Sequence, residues 1–162
     1  NTKAKARKEK MNKYCFQNCQ KIVVFSKDKS KVLLCQRKGE ADYDGVFSFI
    51  GGKMETTDKS ILAGLKREKD EEISSSCKIK VYPIYSVNHH FIKKDGSHMI
   101  LPHYYAVYES GSIHLNEEYS EYKWVPINEL NSFEPKIPII PSVVENLLRI
   151  SSSFLKNKFK LI

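Results

Sequence analysis

Residues 51–74 read GGKMETTDKSILAGLKREKDEEIS, and this segment is the most informative part of the sequence for predicting the fold. Gly51-Gly52 predicts a tight turn, because glycine adopts backbone dihedrals that other residues resist. The spacing of apolar residues after the turn predicts a helix over residues 60–73. Three of its side chains form an apolar stripe that is expected to contact the core: Ile61, Leu62 and Leu65.

Carboxylates take the next positions of that stripe. Glu68 and Glu72 lie where burial would be expected to continue, and Glu71 lies beside them because residues three and four apart share a helix face. Mg²⁺ prefers hard oxygen ligands and commonly joins a few protein carboxylates to substrate phosphates. The three glutamates therefore predict a metal site, although such a group taken alone is more often a solvated helix face.

The rest of the pattern predicts an α+β domain in which helices pack on a mixed sheet. The Asp95-Gly96 dipeptide predicts a hairpin between two long strands, and a second helix is expected to begin near Pro141. Asp58 or Ser60 can cap the N–H groups of the first helix. Strands are expected over residues 21–26, 31–38, 46–50, 78–92, 99–109 and 123–126.

The segment resembles the Nudix box, whose pattern is Gly, five residues, Glu, seven residues and then Arg-Glu-apolar-x-Glu-Glu-x-Gly. The match has four departures. Asp58 replaces the box Glu, one extra residue separates it from Arg67, Lys69 takes the apolar position and Ser74 takes the closing Gly. We expect a loop to absorb the extra residue, Lys69 to disturb packing and Ser74 to alter the end of the helix.

The resemblance extends over residues 20–150 in chain order. It includes residues 35–38, the Glu118-x-x-Glu121-x-x-Trp124-Val125-Pro126 segment and the helix after Pro141. It implies an α/β/α sandwich, with a mixed β-sheet flanked by helices. It also implies hydrolysis, with Mg²⁺ or Mn²⁺ as cofactor, of a pyrophosphate bond in a nucleoside diphosphate linked to another group. Nucleotide sugars, dinucleoside polyphosphates, ADP-ribose and nucleoside triphosphates are the candidate substrates.

By position, the resemblance implies roles for the charged residues of the box. Glu68 and Glu72 are implied metal ligands, and Glu71 is implied to be a further ligand or to orient the attacking water. Arg67 is implied to belong to the catalytic set as the partner that holds the glutamates. The metal would neutralise phosphate charge and lower the pKa of a bound water, which is the nucleophile.

Residues outside the helix complete the implied site. Glu118 and Glu121, before Trp124, are candidates for the base or for an extra metal ligand, and we expect one to be functional and the other solvated. Arg37 is a candidate substrate-binding residue because its guanidinium fork suits phosphate oxygens. Gly51 and Gly52 are assigned to substrate binding as well.

Two alternatives to a nucleotide hydrolase remain open. The departures from the box are compatible with a Nudix-fold nucleotide-binding module that has lost catalysis. The formal charge of +8 is compatible with an RNA pyrophosphohydrolase, because residues 1–10 carry +4 and residues 151–162 carry +3, leaving +1 on the remaining 140 residues. Solvated, mobile ends are the simpler explanation of that charge.

Length favours one domain, which we place at residues 15–155, between a basic N-terminal tail (1–14) and a basic C-terminal tail (156–162). Residues before Met11 are taken as a cloning remnant or a trimmed leader. Apolar runs fall short of the roughly 20 residues that cross a bilayer, so no membrane role is expected. Four cysteines predict reduced thiols in a cytoplasmic protein rather than a disulfide framework. A homodimer is a further expectation.

Overall fold

The computed structural model of the protein describes residues 2–153 and 158–162, and they form an eight-stranded mixed sheet with a helix on each face. The helices are α1 (Thr2–Asn12), α2 (Ile61–Ile73) and α3 (Ile140–Ser151), with one 3₁₀ turn at Ile127–Glu129. The strands are β1 (Gln17–Asn18), β2 (Lys21–Phe25), β3 (Lys31–Arg37), β4 (Phe47–Ser48), β5 (Lys78–Ile92), β6 (His98–Ser110), β7 (Tyr119–Pro126) and β8 (Lys160–Leu161). The predicted α+β class and the α/β/α sandwich are confirmed.

The sheet is built on the order β4-β3-β2-β6-β5-β8, with β1 also paired to β6 and β7 also paired to β3. Strands β1 and β2 run parallel to β6, and the other strand pairs are antiparallel. The hairpin of β5 and β6 turns where the sequence predicted it, with Gly96 at a φ of 84°. Strand β4 is shorter than the predicted 46–50 strand, and β7 begins four residues earlier than predicted.

The two faces of the sheet carry separate apolar cores, and β2 contributes to both. Ile22 and Val24 pack with Leu65 of α2, whereas Val23 and Phe25 pack with Leu147 of α3. These side chains are at most 1% exposed. Because successive strand residues point to opposite faces, a strand covered on both sides is apolar throughout. The apolar run 22–25 is therefore the centre of the sandwich.

The C-terminal end differs from the predicted solvated tail. Strand β8 pairs with β5, and Ile162 is buried in the α2-side core. Ile162 and Ile79 exchange backbone hydrogen bonds of 2.9 and 3.0 Å. The prediction of a basic tail is therefore wrong for the last three residues, because strand pairing and an apolar terminal side chain outweigh the lysines. The predicted boundary at residue 155 and Lys156 lie in 154–157, outside the described residues.

The N-terminal end is helical rather than an irregular tail. Helix α1 spans Thr2–Asn12, and the side chains of residues 2–7 are exposed. Basic residues spaced along a polar helix of this kind remain solvated, as the composition predicted. Over residues 2–153 and 158–162, no helix has the length and hydropathy of a membrane span.

Candidate active site

A cleft of about 730 Å³ lies where the Gly51-Gly52 loop meets α2. Its lining has an acidic end, formed mainly by the glutamates of α2, and an aromatic end on β5 and β6. Several basic side chains also face it. The lining includes Glu68, Glu71, Glu72, Glu118, Lys21, Arg37, Arg67, Phe49, His89, Phe91 and His103. A cleft with charged groups at one end and rings at the other can hold an elongated polar ligand.

Helix α2 positions the acidic end. Ser60 is its N-cap, and the Ser60 hydroxyl accepts a hydrogen bond of 3.0 Å from the Ala63 N–H. The predicted apolar stripe is buried only in part, because Leu65 is fully buried, Leu62 is half-buried and Ile61 is 45% exposed. Burial does continue onto the charged residues of the same face, as the periodicity indicated.

Glu72 is the most deeply placed carboxylate, with 2% of its surface exposed. Its Oε2 accepts a hydrogen bond of 2.5 Å from the Gly51 N–H, which ties the helix to the glycine turn. Burial raises the pKa of Glu72 to about 7, although the charge of Lys21 and the Gly51 hydrogen bond act in the opposite direction. A carboxylate of this kind gains from a nearby cation.

Glu68 is buried next to the second glycine. Burial raises the pKa of Glu68, and Arg67 opposes that shift through a hydrogen bond of 2.8 Å to Glu68 Oε1. A Cβ atom on Gly52 would lie 2.5 Å from Glu68 Oε2, closer than non-bonded atoms approach. Gly52 is therefore required for the position of the Glu68 carboxylate, whereas Gly51 is required by its own φ of 119°.

Arg67 donates hydrogen bonds to several acidic residues of the box. It donates to both carboxylate oxygens of Asp58 at 2.9 Å and to Glu71 Oε2 at 3.3 Å, in addition to Glu68. The two Asp58 bonds form the bidentate pair that the guanidinium fork favours. They raise the pKa of Arg67 above its usual value and lower the pKa of Asp58 to about 2. Asp58 lies just before the Ser60 N-cap, so these two bonds tie the loop in front of α2 to the helix.

The two remaining departures from the box contact each other. Lys69 is completely buried, and its ammonium donates to the carbonyls of Cys77 at 2.8 Å and Ser74 at 3.3 Å and contacts the Asp70 carboxylate. Ser74 ends α2 at a φ of 93°, the left-handed region that a closing glycine adopts readily. Lys69 therefore binds the carbonyls at the strained helix end, and the expectation that it disturbs packing is wrong.

The structure separates the two candidate bases. Glu118 lines the cleft, and its backbone carbonyl accepts a hydrogen bond of 2.8 Å from the Lys38 N–H. Glu121 lies on β7 with an exposed side chain and is not part of the cleft lining. Arg37 also lines the cleft, where its guanidinium pairs with Glu40 at 3.1 Å.

Lys21 and His103 line the cleft and were not predicted from the sequence. Lys21 is 8% exposed and donates a hydrogen bond of 2.8 Å to the Gly51 carbonyl. His103 is 2% exposed, and its ring makes edge-on contacts with His89 and Phe49. Burial lowers the pKa of His103 to about 4. A lysine or histidine within an apolar strand was the available signal, since buried polar groups need a reason.

The carboxylates of the acidic end fit a divalent cation in chemistry, although they are not arranged around one. Within the described residues, no three or more His, Cys, Asp or Glu side chains are grouped as metal ligands. Arg67 accounts for this, because it engages both Glu68 and Glu71. The close approach of Glu68 to Gly52 and the burial of Glu72 nevertheless place hard oxygen donors on one side of the cleft.

An acidic cleft on an α/β/α sandwich defines a class of fold and site, and comparison with known proteins identifies the family. The family model of the NUDIX domain matches residues 20–147. The chain therefore belongs to the Nudix family, whose hydrolases generally use divalent metal ions. The comparison with curated protein sequences gives no match.

Solved structures with the same fold cover most of the chain. The MutT protein from Methanosarcina mazei Go1 has a TM-score of 0.68 at 20% identity, covering 84% of this chain and 95% of that one. A C. elegans Ap4A hydrolase binary complex has a TM-score of 0.67 at 14% identity, covering 85% and 99%. The NUDIX domain of Shewanella oneidensis NrtR, complexed with ADP ribose, has a TM-score of 0.65 at 19% identity, covering 84% and 89%. At these identities the likeness establishes the fold.

Proposed function

We propose that this protein is a divalent-metal-dependent pyrophosphohydrolase that acts on a nucleoside diphosphate linked to another group. The observation that carries the proposal is the burial of Glu68 and Glu72 side by side in the cleft, with Glu71 at its rim. Buried carboxylates are costly unless a cation compensates them. Family membership over residues 20–147 supports the same reading.

The residues divide the work as follows. Glu68 and Glu72 would hold the cation and Glu71 would complete its ligands, while Arg67 is anchored on Asp58 and keeps α2 against the loop. A bound Mg²⁺ or Mn²⁺ would neutralise phosphate charge and lower the pKa of a water. Glu118, at the cleft wall, would serve as the proton acceptor for the attacking water, and Arg37 would bind a phosphate oxygen.

The test is a phosphate-release screen of a nucleotide panel, with Mg²⁺ and Mn²⁺ assayed separately and a phosphatase added to reveal the products. We expect wild-type turnover that falls at least about 100-fold in Glu72→Gln. Glu121→Gln is the matched control, because it removes an exposed carboxylate outside the cleft. No turnover on any substrate by folded wild-type protein would refute the proposal.

A nucleotide-binding module without catalysis is the second candidate. This candidate is favoured because Arg67 forms salt bridges with both Glu68 and Glu71. Among the described residues, the glutamates are not grouped as metal ligands. ADP ribose, the ligand bound to the NrtR domain, is the natural probe. A module of this kind is stabilised against thermal unfolding by ADP ribose and releases no product from it. Product release by wild type that Glu72→Gln abolishes would eliminate this candidate.

RNA pyrophosphohydrolysis is supported only by charge at the ends of the chain. Lys3, Lys5 and Arg7 are exposed on α1, and they can contact a polyanion. Removing residues 1–10 is then expected to weaken RNA binding and to flatten its salt dependence. Unchanged binding and salt slope would refute the argument from the charged ends of the chain.

We place the protein in the cytoplasm, because its four cysteines are free thiols, as expected in a reducing compartment. Three of them, Cys19, Cys35 and Cys77, are buried, and Cys15 is exposed. Homodimer formation stays a prediction, which light scattering at several protein concentrations would test.

A further inference from the structure

Lys21 is a buried cation at the floor of the cleft. Its residue surface is 8% exposed, and its ammonium donates to the Gly51 carbonyl at 2.8 Å. The amide of the same glycine donates to Glu72. The Gly51 residue thus lies between an ammonium and a carboxylate, and its glycine-only conformation fixes both contacts.

The ammonium has hydrogen-bonding capacity left over, and its charge acts on Glu68 and Glu72 without a salt bridge to either. A lysine ammonium has three donors, and the Gly51 carbonyl takes one of them. Lys21 takes part in none of the salt bridges between described residues. Buried charges in proteins are normally paired, because an unpaired one loses its hydration without compensation. The carboxylate of Glu72 accepts from the Gly51 N–H and that of Glu68 accepts from Arg67, so both act on Lys21 through their charge alone.

The position of Lys21 indicates which charge would pair with it. Lys21 is opposite His103 in the parallel ladder of β2 and β6, so the two side chains are neighbours at the cleft. On one side of Lys21 are the glutamates, and on the other are the rings of His103, His89 and Phe49. The buried Nε2 of His89 also has no hydrogen-bond partner among the described residues. A ligand that spans both ends would place its middle over Lys21.

We infer that Lys21 is a substrate-binding residue, whose ammonium pairs with a phosphate oxygen of the diphosphate group. The inference rests on the proposed function for the identity of the ligand. It adds that the floor of the cleft binds the phosphate groups of that ligand. A phosphate oxyanion supplies the hydrogen-bond acceptors that the ammonium lacks, together with a negative charge in direct contact with it. The ligand then has its diphosphate between the acidic end and Lys21 and its remaining group at the ring-lined end.

The test uses α,β-methylene ADP, whose P–C–P bridge resists hydrolysis, in saturating Mn²⁺. Titration calorimetry is performed on wild type, Lys21→Met, Lys21→Arg and the control Lys31→Met, which removes an exposed lysine at the start of β3. We expect Lys21→Met to weaken binding about 10- to 100-fold, the range of one charge-assisted contact. Lys21→Arg keeps the charge and loses less, and Lys31→Met binds as wild type does. Where an active substrate is found, Lys21→Met raises KM more than it lowers kcat.

Four outcomes separate this inference from its alternatives. Wild-type affinity in folded Lys21→Met overturns it, and tighter Mn²⁺ binding with unchanged ligand binding identifies Lys21 as an internal counter-ion of the glutamates. If Lys21→Met does not fold, NMR of ¹⁵N-lysine-labelled wild type decides, with the Lys21 signal assigned through Lys21→Arg. That signal shifts on ligand addition, and its failure to shift overturns the inference. Lys21-dependent binding without any turnover would refute the proposed function and leave the inference standing.

Discussion

Adding one methyl group at each glycine of the Gly51-Gly52 turn is expected to have two different effects. At Gly51 a Cβ would lie 2.1 Å from the Gln20 carbonyl oxygen, and the φ of 119° is unfavourable for any side chain. At Gly52 the three atoms nearest to a Cβ would all belong to the carboxylate of Glu68, at 2.5 to 2.7 Å. A backbone strand cannot move aside without disrupting the sheet, whereas a carboxylate can rotate away.

The magnitudes follow from these contacts. Gly51→Ala combines a backbone clash with a strained dihedral, each of which costs about 1–3 kcal/mol, so we expect a loss of about 3 kcal/mol or more in the free energy of unfolding. Gly52→Ala displaces Glu68 by roughly 1 Å, which costs about 1 kcal/mol of stability or less and about 100-fold in kcat/KM. Gly51→Ala is therefore expected to be unstable, whereas Gly52→Ala is expected to be stable but much less active.

Urea denaturation monitored by circular dichroism gives the stabilities, and the phosphate-release assay gives the activities. Gly96→Ala is the matched control, because that glycine has a φ of 84° but nothing within 4 Å of the added Cβ. It measures dihedral strain alone, expected at about 1 kcal/mol with activity unchanged. A Gly51→Ala protein as stable as Gly96→Ala, or a Gly52→Ala protein with wild-type activity, would refute the reasoning.

Three further predictions concern the cleft and its supports. Glu118→Gln is expected to lower kcat about 100-fold and Glu121→Gln to leave kcat unchanged, because of the two residues Glu118 alone lines the cleft. Equal losses of kcat in an initial-rate assay would contradict this prediction. Lys69→Met is expected to lower the free energy of unfolding in urea by about 2 kcal/mol, because the Cys77 and Ser74 carbonyls lose a buried donor. A stabilised variant would show that the ammonium makes no net contribution to stability. The pKa of His103 is about 4 in the folded protein against 6.5 unfolded, so His103 makes the protein less stable as the pH falls from 6.5 to 4. The pKa of Glu72 is raised from 4.5 to about 7, so Glu72 makes the protein more stable as the pH falls from 7 to 4.5. Relative to wild type, His103→Phe is therefore expected to become more stable as the pH falls and Glu72→Gln less stable. Two variants with parallel pH profiles would refute the opposed shifts.

Periodicity and local chemistry determined much of this protein without its tertiary structure. The helix at Ile61–Ile73, the hairpin through Asp95-Gly96 and the helix after Pro141 follow from signals within a few residues of each other. The burial of Glu68 and Glu72 followed from the same 3.6-residue period, which continues an apolar stripe whatever residues occupy it.

Tertiary structure decided the features that join distant segments. Lys21 and Gly51 are brought together by the pairing of sheet and loop, and Lys69 compensates for Ser74 only because the chain after α2 returns its Cys77 carbonyl to the buried ammonium. Glu118 and Glu121 look equivalent in sequence, and only the placement of β7 puts one in the cleft and the other in solvent. Local sequence encodes secondary structure through short-range sterics, whereas contacts across 30 residues depend on the completed sandwich.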